Sequence, residues 1–287
     1  MTATVPLPVP VGAGTRLLGE VIAWACPGLA VPHADLVRAL EAADLDPGVA
    51  RELAPRHAFA RACKKLSDQR IIRPVAEDTT TIKFQFTQVT REDDRYEYTL
   101  ETTLTLDKHT GRVSCALPGL ATAAQEELDR CIAVRTGSDV TRVVQKLFER
   151  QADLFGIRPG GGCYFVPQQH AGFTDKIQEL LDRVGGRLLR FPVPAGTDEG
   201  DRSVAQAVAD GHAAVVAEHR AAVAQFGADT RADTLQRAAE KIRATKFKLQ
   251  TYAEYLTGEK ERLDRVVTDA EQELRAKVAE IANPAAG

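Results

Sequence analysis

A heptad repeat of apolar residues in the last fifty positions constrains this chain most. Between residues 231 and 282, apolar side chains recur at every seventh position, and a second apolar row follows four residues behind the first. Such a stripe is typical of a helix that packs along its whole length, as in a coiled coil. The first row consists of Leu235, Ile242, Leu249, Leu256, Leu263 and Ala270, and the second of Ala239, Ala253, Val267, Leu274 and Ile281.

An unbroken helix over this stretch would be about 78 Å long, so it must protrude from the body or pair with another helix. We therefore expect self-association, or pairing with another coiled-coil protein, through the main stripe positions. Gly258 weakens such a helix by about 1 kcal/mol, which leaves a break there as the alternative, although the heptad phase continues through it. The predicted oligomerisation residues are Leu235, Ile242, Leu249, Leu256, Leu263, Val267, Leu274 and Ile281.

The long helix is the second helix of a predicted helical hairpin, residues 201–283. The first helix of the hairpin begins at Asp201 or Ser203 and ends at Gly227, and the second begins at Thr230. A linker at 195–201 separates this hairpin from the rest of the chain.

The N-terminal part is predicted to be an extended segment followed by helices. Residues 1–14 contain three spaced prolines and no basic leader, so we predict a flexible Pro-rich arm and no signal peptide. Residues 15–75 predict three short helices, at 15–24, 33–43 and 57–67, and then a strand. Three helices before a hairpin is also the order of a winged helix, whose third helix enters the DNA major groove.

Residues 76–194 predict an α+β body. From residue 70 onward the apolar period changes from 3.6 to 2, and four segments separated by polar turns predict an antiparallel meander. Alternation at 82, 84 and 86 and at 96, 98 and 100 predicts one packed face and one wet face. Two helices follow, and then a strand, helix, strand unit at 164–193, which either extends the meander or forms a separate small sheet.

The third helix and the next strand carry a basic run with a net charge of +5 over residues 51–75. This run predicts weak binding of duplex DNA through phosphate contacts, and the alternative is a solvated helix face. The candidate DNA-binding residues are Arg56, His57, Arg61, Lys64, Lys65 and Arg70.

The loop from Gly156 to His170 is the candidate site for the rival function, an enzyme or nucleotide-binding protein. Its three glycines, 160–162, are followed by a strand and not by a helix that carries Lys and Ser or Thr, so a tight turn is favoured over a phosphate loop. His212 and His219 are two turns apart on one helix, too far to share a metal. We predict no catalytic residue, no metal site and no cofactor.

Composition narrows the class of protein further. The net charge of −3 on 287 residues gives no overall attraction to nucleic acid or membranes, and five scattered cysteines form no metal or disulfide pattern. The longest apolar runs are too short to span a membrane. These features favour a cytoplasmic protein with no membrane partner.

Two segments, DKHTGRV at 107–113 and RPGGGCYFVP with the helix and FPVP strand after it at 158–194, resemble an uncharacterised bacterial family found in genomes and mobile elements. The resemblance covers about residues 80–280 and implies the domain order. Together these observations predict a non-enzymatic scaffold or adaptor of α+β class that assembles through its C-terminal coiled coil.

Overall fold

A computed structural model describes residues 16–68, 70–92, 95–158, 160–227, 229–256 and 259–282. The predicted Pro-rich arm at 1–14 lies outside these residues. The chain divides into two compact units. The helical unit comprises Met1–Trp24, Phe148–Asp175 and Leu188–Gly287, and the sheet unit comprises Ala25–Leu147 and Lys176–Arg187.

The described residues form ten strands and eight α-helices, with short 3-10 turns between some of them. The strands are β1 (Leu17–Ala25), β2 (Ala30–Pro32), β3 (Arg70–Glu77), β4 (Thr81–Glu92), β5 (Arg95–Asp107), β6 (Val113–Ser114), β7 (Val134–Thr136), β8 (Phe155–Gly156), β9 (Tyr164–Pro167) and β10 (Arg187–Pro194). The helices are α1 (His33–Ala42), α2 (Pro55–Lys65), α3 (Pro118–Ala133), α4 (Gly137–Gln151), α5 (Ala171–Val184), α6 (Asp198–Ala224), α7 (Ala232–Thr251) and α8 (Lys260–Ala282).

The sheet unit is built on the predicted meander, and this prediction is confirmed. Strands β3, β4, β5 and β6 form one four-stranded antiparallel sheet in sequence order. Its inner face packs on α2 and α3 through a buried cluster that includes Phe59, Phe86, Leu104 and Leu128. A separate two-stranded pairing joins β2 and β7. Among the described residues, helices α2 and α3 thus cover the inner face of the meander.

The helical unit has its own four-stranded sheet, in the order β10, β1, β9, β8. The strand, helix, strand unit therefore forms a separate sheet and does not extend the meander. One of its two inner strands, β1, was predicted as the first helix, and that prediction is wrong. Valine, isoleucine and tryptophan suit a strand, and the antiparallel pairing of β1 with β9 overrides the helical period. Gly19 is needed here, because a Cβ would lie 2.1 Å from the Val166 carbonyl oxygen.

The winged-helix order is consequently not present in the described residues. Only α1 and α2 precede the β3–β4 hairpin, and β1 belongs to the helical unit. The N-terminal segment 15–75 is therefore not one structural segment, since its strand and its helices lie in different units.

The long C-terminal helix is also corrected. It ends at Thr251, a 3-10 turn follows at Ala253–Tyr255, and α8 begins at Lys260. Gly258 itself lies outside the described residues. Lys246 of α7 contacts Glu271 of α8 at 3.2 Å, and one groove joins the start of α7 to the end of α8, so the two helices run antiparallel. Together with α6 they form a three-helix arrangement instead of a two-helix hairpin.

Candidate functional site

The distal half of the β4–β5 hairpin carries a stripe of apolar side chains that no described residue covers. Tyr96, Tyr98 and Leu100 are 58%, 59% and 59% exposed. They follow one another on the same face of β5, with Val89 of β4 directly opposite Tyr98. Arg91 lies over the Tyr96 ring at 5.8 Å from its centroid. We call β4 from Thr87 and β5 up to Glu101 the arm.

A β-bulge explains why this stripe faces outward. Phe86 pairs with Thr102 and the next residue, Thr87, pairs with Leu100, so Glu101 is the extra residue on β5. Such a one-residue slip moves the side chains beyond it to the other face of the sheet. The prediction that Tyr96, Tyr98 and Leu100 share the packed face with Ile82, Phe84 and Phe86 is therefore wrong for the arm, although Ile82, Phe84 and Phe86 are buried.

The opposite face of the arm is polar. Gln88, Thr90, Glu97 and Thr99 are all exposed there. The edge of β5 is also open along the arm, because β6 pairs only with Thr105 and Leu106. The arm is thus an amphipathic two-stranded ribbon with an uncovered apolar face and, in the described residues, an uncovered backbone edge.

The predicted DNA-binding residues are mostly engaged in ion pairs within the sheet unit. Arg61 makes two hydrogen bonds to Asp139, at 2.8 and 2.6 Å, and Lys65 contacts Glu127. Arg70 makes two bonds to Glu101, at 2.5 and 2.9 Å, and Arg56 lies 3.1 Å from Glu77. Of the six residues, only Lys64 has no carboxylate partner in the described part of the chain, since His57 interacts electrostatically with Glu77. Carboxylates from distant segments thus neutralise most of the +5 charge that residues 51–75 carry.

The Arg61 pair is partly buried and shifts the acidity of its partner. Burial alone would raise the pKa of Asp139, but hydrogen bonds from Arg61 and Thr136 lower it to about 2. A carboxylate held ionised in this way anchors the guanidinium on the protein. Arg61 therefore holds α2 to the start of α4 and is not presented to a nucleic-acid backbone.

The predicted oligomerisation residues are mostly buried inside the helical unit. Ile242, Leu249, Leu256, Leu263, Val267 and Leu274 are each no more than 5% exposed, and all belong to one cluster with Val204, Val208, Val216 and Val223 of α6. Leu235 and Ile281 remain partly exposed. Because α7 and α8 fold back on each other, the chain covers most of its own stripe.

The glycine loop forms a closed turn, as predicted. Gly160, Gly161 and Gly162 have φ of +86°, +75° and +84°. The Arg158 side chain donates from Nε to the Gly161 carbonyl at 2.8 Å, and the Tyr164 ring stacks on Trp24 with centroids 5.1 Å apart. Both Phe165 and Val166 are buried, so β9 is packed on both faces instead of alternating.

His170, at the end of this loop, belongs to a hydrogen-bonded network around Asp153. The Asp153 carboxylate accepts from the Tyr252 hydroxyl and the Lys248 ammonium, and His170 Nε2 lies 3.4 Å from Oδ2. Burial would raise the pKa of Asp153, but these three partners hold it below the ordinary range. Both carboxylate oxygens are occupied, so the network is suited to anchor α7 to the β8 segment.

Sequence reasoning missed this network, since His170 and Asp153 lie 82 and 99 residues before Tyr252 in the chain. Gln169 next to His170 donates to Tyr252 at 2.8 Å, and no motif spacing marks any of these residues. Among the described residues there is no group of three His, Cys, Asp or Glu side chains placed to hold a metal ion.

Comparison with known proteins identifies the family of the chain. Of the helices described above, none has the length and apolarity needed to cross a membrane. The chain belongs to a family of unknown function, DUF6744, whose model matches residues 17–287. No curated protein and no solved structure matches it. The resemblance to an uncharacterised family is thereby confirmed.

Proposed function

We propose that this protein is a non-enzymatic scaffold that assembles with a second copy of itself through the arm. The observation that carries the proposal is the uncovered stripe of Tyr96, Tyr98 and Leu100, each more than half exposed on one face of a ribbon. Tyrosine is enriched in protein interfaces and rarely forms such a row on a free surface.

The arrangement of the arm argues against chance exposure. Apart from Thr87 and Arg91, which lie opposite Leu100 and Tyr96, apolar and polar residues are separated between its two faces, as they are in a strand that packs on one side. Full burial of one leucine or aromatic side chain contributes about 1.5–3 kcal/mol, so covering three of them is a substantial driving force. A strand of a second copy that pairs beside β5 buries the flanks of these side chains and so gains part of this energy.

A second copy fits the arm because β5 has an open edge. Two identical edge strands pair antiparallel about a two-fold axis, and such closed symmetric dimers are the commonest assemblies. An axis at Tyr98 gives the largest apolar overlap, since Tyr96 then faces Leu100 of the second copy, and Tyr98 faces Tyr98. These three cross-strand pairs contribute roughly 0.2–1 kcal/mol each, in addition to the backbone hydrogen bonds.

The C-terminal helices provide a second surface for the same function. Leu235, Ala239, Leu274 and Val278 line an apolar groove of about 430 Å³ between α7 and α8. Leu235 and Ala239 are partly exposed members of the heptad stripe, Leu274 is one of its buried members, and Val278 is an exposed residue beside it. We therefore propose that coiled-coil-like association, if it occurs through this region, pairs the α7–α8 grooves of two copies.

Weak duplex DNA binding by α2 continues as a secondary proposal, with Lys64 and His57 as its contacts. Both lie on the helix whose other basic residues are ion-paired. Phosphate binding of this kind falls steeply with salt, so a gel shift at 50 mM salt that disappears in a Lys64→Glu variant would support it.

Light scattering coupled to size exclusion tests the main proposal. We expect a dimer for the full-length protein and a monomer for Tyr98→Lys, which places two like charges on the two-fold axis. Thr90→Lys is the matched control, because it adds the same charge to the polar face of the arm, and it should remain dimeric.

Three results would separate the surfaces. A monomeric wild type contradicts the scaffold proposal altogether. A Tyr98→Lys variant that stays dimeric contradicts the arm as the interface. If Leu235→Lys dissociates that dimer, the α7–α8 groove is the interface instead.

A further inference from the structure

The outer face of the β3–β6 sheet carries a second surface, which the proposed dimer leaves open. Helices α2 and α3 pack on the inner face, where Phe84, Phe86 and Leu104 are buried. Residues directly opposite each other in an antiparallel pair share a face, so the pairing register assigns every other position of these strands to one face or the other. Pairing of two copies along the edge of β5 buries the flanks of the tyrosine stripe and leaves the outer face accessible.

Basic and acidic side chains are separated between the two faces of this sheet. The register places Arg73, Lys83 and Arg91 on the outer face. It places Glu77 and Glu97 on the inner face, with the buried cluster and the polar side of the arm. The separation gives the outer face a positive charge although the whole chain has a net charge of −3.

The carboxylate that the described strands do place on the outer face is tied to a turn. Asp107 Oδ1 accepts hydrogen bonds from the backbone N–H groups of Thr110 and His109, both at 2.8 Å, and these bonds lower the pKa of Asp107. Arg73 and Lys83 make no ion pair in the described part of the chain. Their charges are therefore available to an anionic ligand.

Two aromatic rings lie on the same face as these cations. Tyr96 and Tyr98 are 58% and 59% exposed and are two positions apart on β5, about 7 Å along the strand. Arg91 lies directly opposite Tyr96, with its guanidinium carbon 5.8 Å from the ring centroid. Lys83 is eight residues before Arg91 on β4, which is about 27 Å. Cations thus lie at both ends of an aromatic stripe.

This combination suits a polyanion that carries flat, exposed rings. In a single-stranded nucleic acid the bases can turn outward and stack on aromatic side chains, while Arg and Lys contact the phosphates. In a duplex the bases are stacked on one another and cannot reach a flat sheet. An acidic peptide could neutralise the cations but gains no comparable stacking from the tyrosines.

We propose that the outer face of the β3–β6 sheet binds single-stranded nucleic acid. Successive bases stack on Tyr96 and Tyr98, and the phosphates that follow contact Arg73 and Lys83. A length of 27 Å accommodates about four nucleotides, at the lower end of known single-strand sites on small β domains. Binding by stacking and phosphate contact has little sequence preference. The site does not require the dimer.

Fluorescence anisotropy of the full-length protein with labelled strands of about 12 nucleotides tests the proposal. The probes are oligo-dT, oligo-U and a mixed-sequence duplex of the same length, all at low salt. We expect both single strands to bind more tightly than the duplex. Tighter binding of oligo-U than of oligo-dT would support the proposal with RNA as the ligand, and the reverse order would support it with DNA.

Variants separate the stacking from the charge. Tyr98→Leu keeps an apolar side chain but removes the ring, and it should weaken single-strand binding about tenfold, whereas Tyr98→Phe should lose far less affinity. Arg73→Gln should reduce the slope of log affinity against log salt by about 0.7, the value for one phosphate contact on a single strand. Arg187→Gln removes an exposed arginine from β10, outside this face, and is the matched control.

Three results would overturn the proposal: no binding of either single strand, equal binding of the duplex, or equal affinities of Tyr98→Leu and the wild type. Light scattering on the same samples distinguishes this site from the scaffold function. A dimer that binds no strand contradicts the nucleic-acid site alone, and a monomer that binds a strand supports the site and contradicts the dimer alone.

Discussion

Replacing Asp153 by asparagine is expected to destabilise the helical unit. Asparagine keeps the size of the side chain and one carbonyl oxygen, but it removes the charge that Lys248 and Tyr252 contact. The Asp153 side chain is 16% exposed and that of Lys248 is 51% exposed, so the ion pair is only half shielded from water. Removing one partner of a fully buried pair costs about 3–5 kcal/mol. For this half-shielded pair we expect about 2 kcal/mol.

Urea denaturation followed by fluorescence is the assay. The chain has a single tryptophan, Trp24, and it belongs to the helical unit, so its emission reports that unit alone. A variant 2 kcal/mol less stable has a lower urea midpoint with an unchanged slope. In a double-mutant cycle with Tyr252→Phe, the two changes should be non-additive by about 1 kcal/mol, since the residues share a hydrogen bond.

The pH dependence of this stability difference tests whether the charge of Asp153 is responsible. The pKa of Asp153 in the folded protein is below its ordinary value of 3.8, so the stabilisation by its charge is present above that pH and is lost as the pH falls through the folded value. The difference between wild type and Asp153→Asn should therefore narrow below pH 4. Equal midpoints at pH 7, or a difference that is unchanged at pH 3, would show that the network is not an electrostatic anchor.

Three further predictions concern other parts of the chain. Gly161→Ala should lower the free energy of unfolding by at least about 1 kcal/mol in the same urea assay, because φ is +75° and the new Cβ would lie 2.9 Å from Tyr164 Oη. Calorimetry should detect no ATP binding to the wild type or to the variant. The double change Arg61→Glu and Lys65→Glu should lower the melting temperature by several degrees in scanning fluorimetry, since each new carboxylate repels the one that it contacts, and an unchanged melting temperature would contradict those ion pairs. In the His212→Phe variant, the free energy of unfolding should fall less steeply below pH 6.5 than in the wild type. The reason is that unfolding of the wild type exposes a histidine that takes up a proton, whereas the folded ring, with its lowered pKa, does not. An equally steep fall in the variant would contradict a buried neutral ring.

The sequence correctly predicted those elements in which buried residues recur with one constant spacing. The meander has alternating residues such as Ile82, Phe84 and Phe86, and these do face its core. The helices α3 and α5 follow their apolar spacing in the same way. Local patterning suffices here because each segment has one buried face.

The errors arise where a contact distant in sequence decides the outcome. Strand β1 has an apolar spacing compatible with a helix, and only pairing with β9 determines its conformation. The bulge at Glu101 depends on the pairing register of β5 against β4. The sequence of β5 alone does not indicate that register. The heptad stripe identifies buried positions correctly, but a stripe cannot tell whether the covering helix comes from the same chain.

The candidate sites were hidden from sequence for a related reason. The charge of α2 was counted within residues 51–75, whereas Asp139 and Glu127 reach it from α4 and α3. The spacing of His212 and His219 on α6 argues against a shared metal, but it does not show that His212 is buried. Its Nε2 has no hydrogen-bond partner in the described residues, and this follows from the packing of distant segments around the ring.

Site-directed crosslinking at the arm tests the scaffold proposal most directly. In Tyr98→Cys, the two-fold axis places the new thiols of two copies opposite each other, and a short bismaleimide should join them into a covalent dimer. Thr90→Cys, on the polar face, and the wild type, with its five free cysteines, provide the background. The account predicts a dimer band for Tyr98→Cys well above both controls, and equal bands in all three proteins would contradict it.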